Sequence, residues 1–537
     1  MNLMKKGLGL VAFFALSFTS YSQDKLELID WHLRDLSASE RGISLEKAYD
    51  ELLNNASPKE QVIVAVIDSG IDIEHEDLKS VIWTNEDEIP GNGKDDDNNG
   101  YIDDVHGWNF LGNANGDMVG PDNLEVARLY KHYHSKFGGK MLSEVSDAEK
   151  AEWKAYQRVK NEFEEGKLNA QKGYDRYEQI QTMYDASKKT IQEALGKETF
   201  TPDDVAQLEV TTPELGQAKG LLTNLYDNGF TEKDLAAWED YVTTQAKYYY
   251  NEDIDSRKDI IKDDADNLYE TGYGNPKVSG TEPDHGTHVA GIIAAVRDNG
   301  IGMNGVANHV WIMPIRTVPK GDEHDKDVAN AIRYAVDNGA RVVNMSFGKS
   351  HSPHEKIVAE AIQYAEDKGV LLVHAAGNDG NDLDTKSNYP TNYSSFIKGK
   401  VKTYLTVGAS SINSDEAFPA TFTNYGEKKV DVFAPGVDIY STYPGDNYEY
   451  NNGTSMAAPV VSGIAALMMS YYPDLSAKQV KKIIEKSAVR FDDSVNLPGS
   501  GDAENDPTQV EFDELSRTAG LVNAYNALKM AAKKSKY

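Results

Sequence analysis

The chain has 537 residues, a formal net charge of −31 and no cysteine. Such a field repels phosphate backbones and anionic lipid, so nucleic acid is not an expected partner. The missing thiols exclude disulfides, a lipid-modified N-terminal cysteine and a thiol nucleophile, and the length predicts one large domain with an insertion, or two to three units.

The opening MNLMKKGLGLVAFFALSFTSYSQDK places Lys5 and Lys6 before an apolar run from Gly7 to Phe18, then the small residues Ser20 and Ser22 before Gln23. This three-part shape predicts a secretory signal over residues 1–22, and so an exported protein, periplasmic or extracellular. The run is too short to cross a bilayer, and no other segment reaches about 18 unbroken apolar residues. No membrane span is expected once the signal is removed.

Residues 61–67, QVIVAVI, read as a strand buried on both faces. In VAVIDSGID, Asp68 stands at its carboxyl end, where open parallel sheets place their sites. The following loop, NGKDDDNNGYIDDVHGWNF (92–110), alternates Asp95, Asp97 and Asn99; Gly100 permits a sharp turn, the Tyr101 carbonyl follows, and Asp103 and Asp104 can close a ring. Alternating oxygens around a glycine turn suit Ca²⁺, which takes six to eight oxygen ligands, and crowded carboxylates repel one another without a cation. There is no glutamate at the twelfth position, so this is not an EF-hand; a solvated acidic loop is the alternative.

Residues 117–280 interrupt the strand pattern and predict a helical insertion between a first part, 23–116, and a second part, 281–537, of the main domain. Trp153, Tyr156, Phe163, Tyr174, Tyr177, Ile180 and Tyr184 return at helical steps, predicting long amphipathic helices with a hairpin turn near Gly166. Thr201 and Thr231 read as helix starts. His132 and His134, two apart, face different ways on a helix and read as surface residues, not as a zinc pair. The tyrosines 248–250 read as packing for this insertion.

DHGTHVAGIIAA (284–295) opens a small-residue helix with two histidines. Strand-like runs return at 309–317, 340–348, 369–378 and 403–410, with helical patterns at Asp327–Asn338 and His354–Lys368 between them. This alternation predicts an α/β fold with a doubly wound, mostly parallel sheet. In GTSMAAPVVSGIAALMM (453–469) apolar residues occupy every face, so the helix is buried. Pro459 is tolerated where its missing amide proton costs nothing, which puts Ser455 at the helix start, beside unpaired amides and the positive end of the dipole. Gly453 and Ala457 leave room there for another molecule's backbone. Ser455 is either an N-cap or a nucleophile, and a nucleophile needs a base and an orienting carboxylate.

The segments DSG, HGTHVAG and GTSMAAP, in that order, resemble the subtilisin-like serine peptidases, the subtilases, whose catalytic order is Asp, His, Ser. The resemblance covers residues 31–116 and 281–528. It implies Asp68 as the orienting carboxylate, His285 as the base and Ser455 as the nucleophile, with His288 structural. AAGN (375–378) resembles the oxyanion segment, which assigns that role to the Asn378 side chain and the Ser455 amide. NMSFG (344–348) resembles the substrate strand with Phe347 at its middle, where extended peptide pairs as an added strand. Ser346, Gly348, Ala375, Ala376 and Gly377 would line the pocket for the side chain before the cut bond. Their small size implies an open pocket for bulky apolar side chains and loose discrimination.

Two features depart from the pattern. Asp68 and His285 lie 217 positions apart, where the family usually has a few tens, and the stretch before the Asp68 strand is short for an inhibitory propeptide. The resulting expectation is an exported serine endopeptidase acting on proteins or peptides through an acyl-enzyme, with structural Ca²⁺ and no organic cofactor. A processing peptidase gated by the insertion and a catalytically dead binding scaffold stand as alternatives.

Overall fold

A computed structural model describes residues 28–37, 40–501 and 505–535; the expected signal, 1–22, lies outside them. Two compact units emerge: one of Leu28–Glu125 with Asp255–Tyr537, the other of Val126–Ile254.

In the first unit the strands are β1 (Val62–Asp68), β2 (Trp108–Asn109), β3 (Val310–Arg316), β4 (Val342–Met345), β5 (Leu371–Ala375), β6 (Tyr404–Ser410) and β7 (Val432–Pro435). Then come β8 (Ile439–Tyr443) and β9 (Asn447–Asn451), an antiparallel ribbon; β10 (Val489–Arg490); β11 (Ser494–Asn496) and β12 (Gln509–Glu511), a second ribbon; and β13 (Gly520–Leu521). The main sheet runs β10-β13-β7-β6-β5-β4-β1-β3-β2, parallel except for the β10–β13 edge. The expected doubly wound, mostly parallel sheet is present, and its β-branched runs are buried because helices cover both faces. Asp68 ends the central strand β1, between β4 and β3.

Among the helices, α1 (Leu45–Ala48) lies in the sheet unit. The next five are α2 (Glu125–Phe137), α3 (Lys150–Leu195), α4 (Pro202–Gln207), α5 (Pro213–Asp227) and α6 (Glu232–Thr244). The helical unit has its own core, where Tyr177, Tyr184 and Ile191 of α3 meet Leu222 of α5 and Val242 of α6. Thr201 and Thr231 cap α4 and α6 as expected, each accepting from the amide three residues on. His132 and His134 are exposed.

Two expectations are corrected. No hairpin turns at Gly166: α3 is one continuous helix of 46 residues. A Cβ at Gly166 would meet the Tyr250 ring at 2.2 Å, so the glycine makes room for an aromatic side chain rather than for a turn. The helical unit is also narrower than 117–280. Segments 117–125 and 255–280 belong with the sheet unit, held there by backbone pairing of Pro121 with Lys320 and of Asn109 with Asn275, and by buried Arg257 bound to Asp263 and Asp327. Their polar composition concealed these long-range anchors.

The sheet unit continues with α7 (Asp284–Ala294), α8 (Asp325–Asp337), α9 (Glu355–Lys368), α10 (Thr454–Tyr471), α11 (Ala477–Ser487) and α12 (Ala524–Lys534). α10 is buried along almost its whole length against β4 to β7, as its all-round apolar pattern requires. α7 lies against β1 and α10. Its close approach depends on Gly286, where a Cβ would stand 2.2 Å from the Gly70 carbonyl oxygen and 3.1 Å from the Asp68 Cβ. The obstacle is backbone, which cannot swing aside. Gly286→Ala is therefore expected to destabilise the chain by about 1–3 kcal/mol through overpacking, although alanine is the better helix former; denaturant unfolding measures it.

Candidate active site

Asp68 is buried at the carboxyl end of β1. Its Oδ1 accepts the Ser69 amide at 2.8 Å and faces His285 Nδ1 at 2.7 Å. A carboxylate there commits the Nδ1 proton and leaves Nε2 as the basic nitrogen. His285 is the second residue of α7, and its side chain is 39% exposed against 2% for Asp68, so the ring bridges a buried charge and the solvent. Burial disfavours the imidazolium, but the charge and hydrogen bond of Asp68 outweigh it and hold the His285 pKa above the ordinary imidazole value. His288 is wholly buried, with Nε2 3.0 Å from the Glu449 carbonyl oxygen. Burial lowers its pKa to about 3, so it stays neutral and structural.

Ser455 is the second residue of α10. Its hydroxyl donates to the Ser346 carbonyl at 3.0 Å, and the Ser346 hydroxyl donates back to the Ser455 carbonyl at 2.9 Å. Pro459 explains the second bond and corrects an expectation. It is the sixth residue of α10, beyond the first turn, where a regular amide would bond to the carbonyl of residue 455. Proline has no such proton, so the Ser455 carbonyl is open and Ser346 satisfies it. The Asn344 amide donates to the Ser346 hydroxyl at 2.9 Å, and the Ser462 hydroxyl donates to Asn344 Oδ1 at 2.8 Å. A buried polar relay thus fixes the nucleophile candidate's backbone.

Asn378 is exposed. Its Oδ1 accepts both the Thr454 amide and the Thr454 hydroxyl at 2.9 Å, and Thr454 Oγ1 accepts the Gly377 amide at 3.0 Å. With the oxygen end tied to the residue before Ser455, the Nδ2 end is the donor on offer. Together with the early amides of α10 it forms a place for negative charge.

The expected pocket residues divide. Gly348 is exposed and Gly377, at φ +101°, stands at the turn before Asn378. Phe347, Ala375 and Ala376 pack into the core instead of lining an open cavity. The Ala375 and Ala376 carbonyls are taken by the amide of Asn388 at 3.3 and 3.0 Å, and Asn424 also reaches Ala376 at 2.8 Å. Sequence reasoning missed both asparagines, because no spacing marks a side chain that crosses from a distant loop.

The acidic loop is also revised. Oxygens of Glu88, Asp95 and Asp97 all lie within 4.8 Å of one another. Glu88 is buried, its Oε1 accepts the Asp96 and Asp97 amides at 2.8 and 3.3 Å, and its Oε2 has no hydrogen-bond partner among the described residues. The side chains of Asn99, Asp103 and Asp104 are hydrogen-bonded within the loop and to Tyr334. Asn99 Oδ1 accepts the Tyr101 amide, Asp103 accepts the amides of Asn92 and Gly93, and Asp104 accepts from Tyr334 at 2.6 Å and Asn99 at 3.1 Å. Burial raises the Asp104 pKa to about 6. The Tyr101 ring anchors the loop among Trp108, Phe110 and Tyr334. Glu88 went unseen in the sequence because it lies outside the alternating run; an orphaned buried carboxylate oxygen beside two more carboxylates fits a hard cation.

Comparison with known proteins gives a family match. The model of the Subtilase family matches residues 59–520. Subtilisin DY of Bacillus licheniformis is 39% identical over 212 residues, 39% of this chain and 72% of that protein. Thermophilic serine proteinase of Bacillus sp. (strain AK1) is 38% identical over 285 residues, 52% of this chain and 59% of that protein. Among solved structures, one described as proteases from Pseudoalteromonas arctica PAMC 21717 aligns with 94% of this chain and 98% of its own, at 20% identity and a TM-score of 0.46.

The Asp68–His285 pair carries its own test. Asp68→Asn removes the favourable charge but leaves burial in place, so the His285 pKa should fall below the ordinary imidazole value. Titration of the His285 ring by NMR in both proteins checks it; an unchanged pKa would show that Asp68 does not govern the ring.

Proposed function

This chain belongs to the subtilase family and is a serine-type endopeptidase, and from that premise we propose how its residues divide the work. Ser455 is the nucleophile, His285 the general base and then acid, and Asp68 the group that fixes the imidazole tautomer and stabilises the imidazolium. Asn378 Nδ2 and the Ser455 amide stabilise the oxyanion. The observation that carries the reading is the 2.7 Å Asp68–His285 bond, made between elements separated by 217 residues.

At rest the Ser455 hydroxyl donates to the Ser346 carbonyl. An extended peptide pairing along residues 346–348 offers that carbonyl an N–H of its own, which releases the hydroxyl to turn toward His285 Nε2. Ser455 attacks the scissile carbonyl and His285 takes its proton. The tetrahedral oxyanion collapses as His285 protonates the leaving amine, giving the acyl-enzyme. Water then repeats the sequence, with His285 again as base, and frees the acid product.

Substrates are proteins or peptides in an extended conformation, because strand pairing reads main chain. The lead over residues 1–22 supports export to the periplasm or medium. The Glu88, Asp95 and Asp97 carboxylates would hold a structural Ca²⁺, which neutralises their repulsion and pins the loop.

Ser455→Ala is expected to lower turnover by about 10⁶-fold, the loss that the corresponding deletion causes in a subtilisin. A fluorophosphonate probe should label the wild type and not the variant, and near-normal peptide hydrolysis by the purified variant would sink the assignment. For calcium, a ligand at 100 times its Kd adds about 2.7 kcal/mol of stability. Chelation should lower the Tm of the wild type, and Glu88→Gln should abolish most of that response; equal responses in the two would argue against this site.

A further inference from the structure

Arg316 ends β3, and in the parallel register it lies beside Asp68, the last residue of β1. Its side chain is buried, and among the described residues no carboxylate bonds to it; Glu282 acts on it only through space. Burial pushes its pKa down to about 10, which leaves the guanidinium charged at neutral pH. An apolar side chain of similar volume would fill this place without the desolvation cost, so an arginine here needs a reason.

The reason lies in what its nitrogens hold. Nε donates to the Ser69 carbonyl at 2.8 Å, one Nη to Asn109 Oδ1 at 3.2 Å and the other to the Val119 carbonyl at 2.6 Å. A Cβ at Gly280 would stand 2.2 Å from Nε, so that stretch of backbone packs directly on the guanidinium. Asn109 and Val119 lie on the chain before the helical unit, and Gly280 lies on the chain after it. One rigid fork of donors therefore joins both ends of the insertion to the residue that follows Asp68.

That residue governs the carboxylate. Asp68 Oδ1 has two partners, the Ser69 amide at 2.8 Å and the His285 ring at 2.7 Å, while Oδ2 has none among the described residues. The aim of the carboxylate at Nδ1 thus rests on where the Ser69 amide points. Ser69 lies past the end of β1 and is followed by Gly70 at φ +125°, so no strand ladder fixes it. Its hydroxyl donates to the Glu282 carbonyl at 3.2 Å on the exposed side, and Arg316 holds it from the buried side.

We propose that Arg316 is a positioning residue: by holding the Ser69 carbonyl it keeps the Ser69 amide on Asp68 Oδ1, and so keeps that carboxylate aimed at His285 Nδ1. The same side chain anchors the insertion to the site. This rests on the catalytic reading above.

Three variants separate this role from plain support of the fold. Arg316→Gln keeps an N–H donor where Nε stood but loses the charge and the contacts to Asn109 and Val119. Arg316→Lys keeps the charge and reaches toward those outer acceptors, but has a methylene in place of Nε. Arg316→Met is neutral like R316Q and has no donor. Peptide hydrolysis on the pH plateau and thermal unfolding are measured for each purified chain. R316K leaves one acceptor orphaned and R316Q two, so R316K should be the more stable. It should nevertheless lower kcat by about ten- to a hundredfold with KM little changed, as a displaced group does. That is well short of the roughly 10⁴-fold loss when a triad aspartate becomes asparagine. R316Q should be less stable yet keep most of kcat.

NMR titration of His285 adds a readout that stability does not move. The charges acting on the ring from Asp68 on β1 and Asp284 on α7 are unchanged in every variant. Loss of the cation raises the ring's pKa equally in R316Q and R316M, so a lower value in R316M isolates the Ser69 bond. Activity that follows stability across R316K and R316Q, or equal His285 pKa values in R316Q and R316M, overturns the role of Arg316 alone. Should R316M not fold, the comparison of R316K with R316Q decides. Fluorophosphonate labelling of Ser455 in the wild type tests the catalytic reading separately, and a wild type that does not label overturns that reading and this proposal with it.

Discussion

The site depends on two serines that hold each other. Ser346 and Ser455 each donate a hydroxyl to the other's carbonyl, and this reciprocal pair joins the end of a central strand to the start of the buried helix. Each bond answers a different demand. One satisfies a carbonyl that Pro459 would leave orphaned inside the core, where an unpaired acceptor costs about 1–3 kcal/mol. The other parks the hydroxyl of the proposed nucleophile on the carbonyl that, in the proposed mechanism, an incoming peptide claims. Stability and readiness are set by the same contact.

Around it, electrostatics are arranged by burial. Asp68 is sealed at the strand end while the His285 ring keeps one side toward solvent, so the pair holds a charge in a low-dielectric place yet exchanges protons with the outside. His288, one turn further along the same helix, lacks a carboxylate partner, and burial keeps it neutral. Two histidines in one motif thus have their pKa values moved in opposite directions by their positions. In the acidic loop the same logic runs the other way, since three clustered carboxylates with one orphaned oxygen form no ion pair with a lysine, arginine or histidine among the described residues.

The long separation of Asp68 from His285 leaves the site intact because the chain leaves and returns at one place. Asn109 and Asn275 exchange backbone hydrogen bonds at 2.9 and 3.1 Å, and the Trp108 indole donates to the Tyr273 carbonyl at 2.8 Å. Loop closure grows only slowly with length, so once these anchors are made a long insertion adds little cost. The helical unit meets its own folding requirement with its own core.

The sequence alone determined the sheet strands, the buried helix with Ser455 at its start and the order of the three catalytic motifs, because periodicity and local chemistry are written in neighbouring residues. It also determined that Thr201 and Thr231 begin helices, since a cap is satisfied within four positions. Tertiary structure alone decided that Gly166 accommodates a ring, that Pro459 requires Ser346, that Glu88 joins Asp95 and Asp97, and that Asn388 reaches the Ala375 and Ala376 carbonyls. These are contacts between atoms far apart in the chain. Only the packing of elements brings their surfaces together, and no local pattern encodes which side chain arrives from the other side.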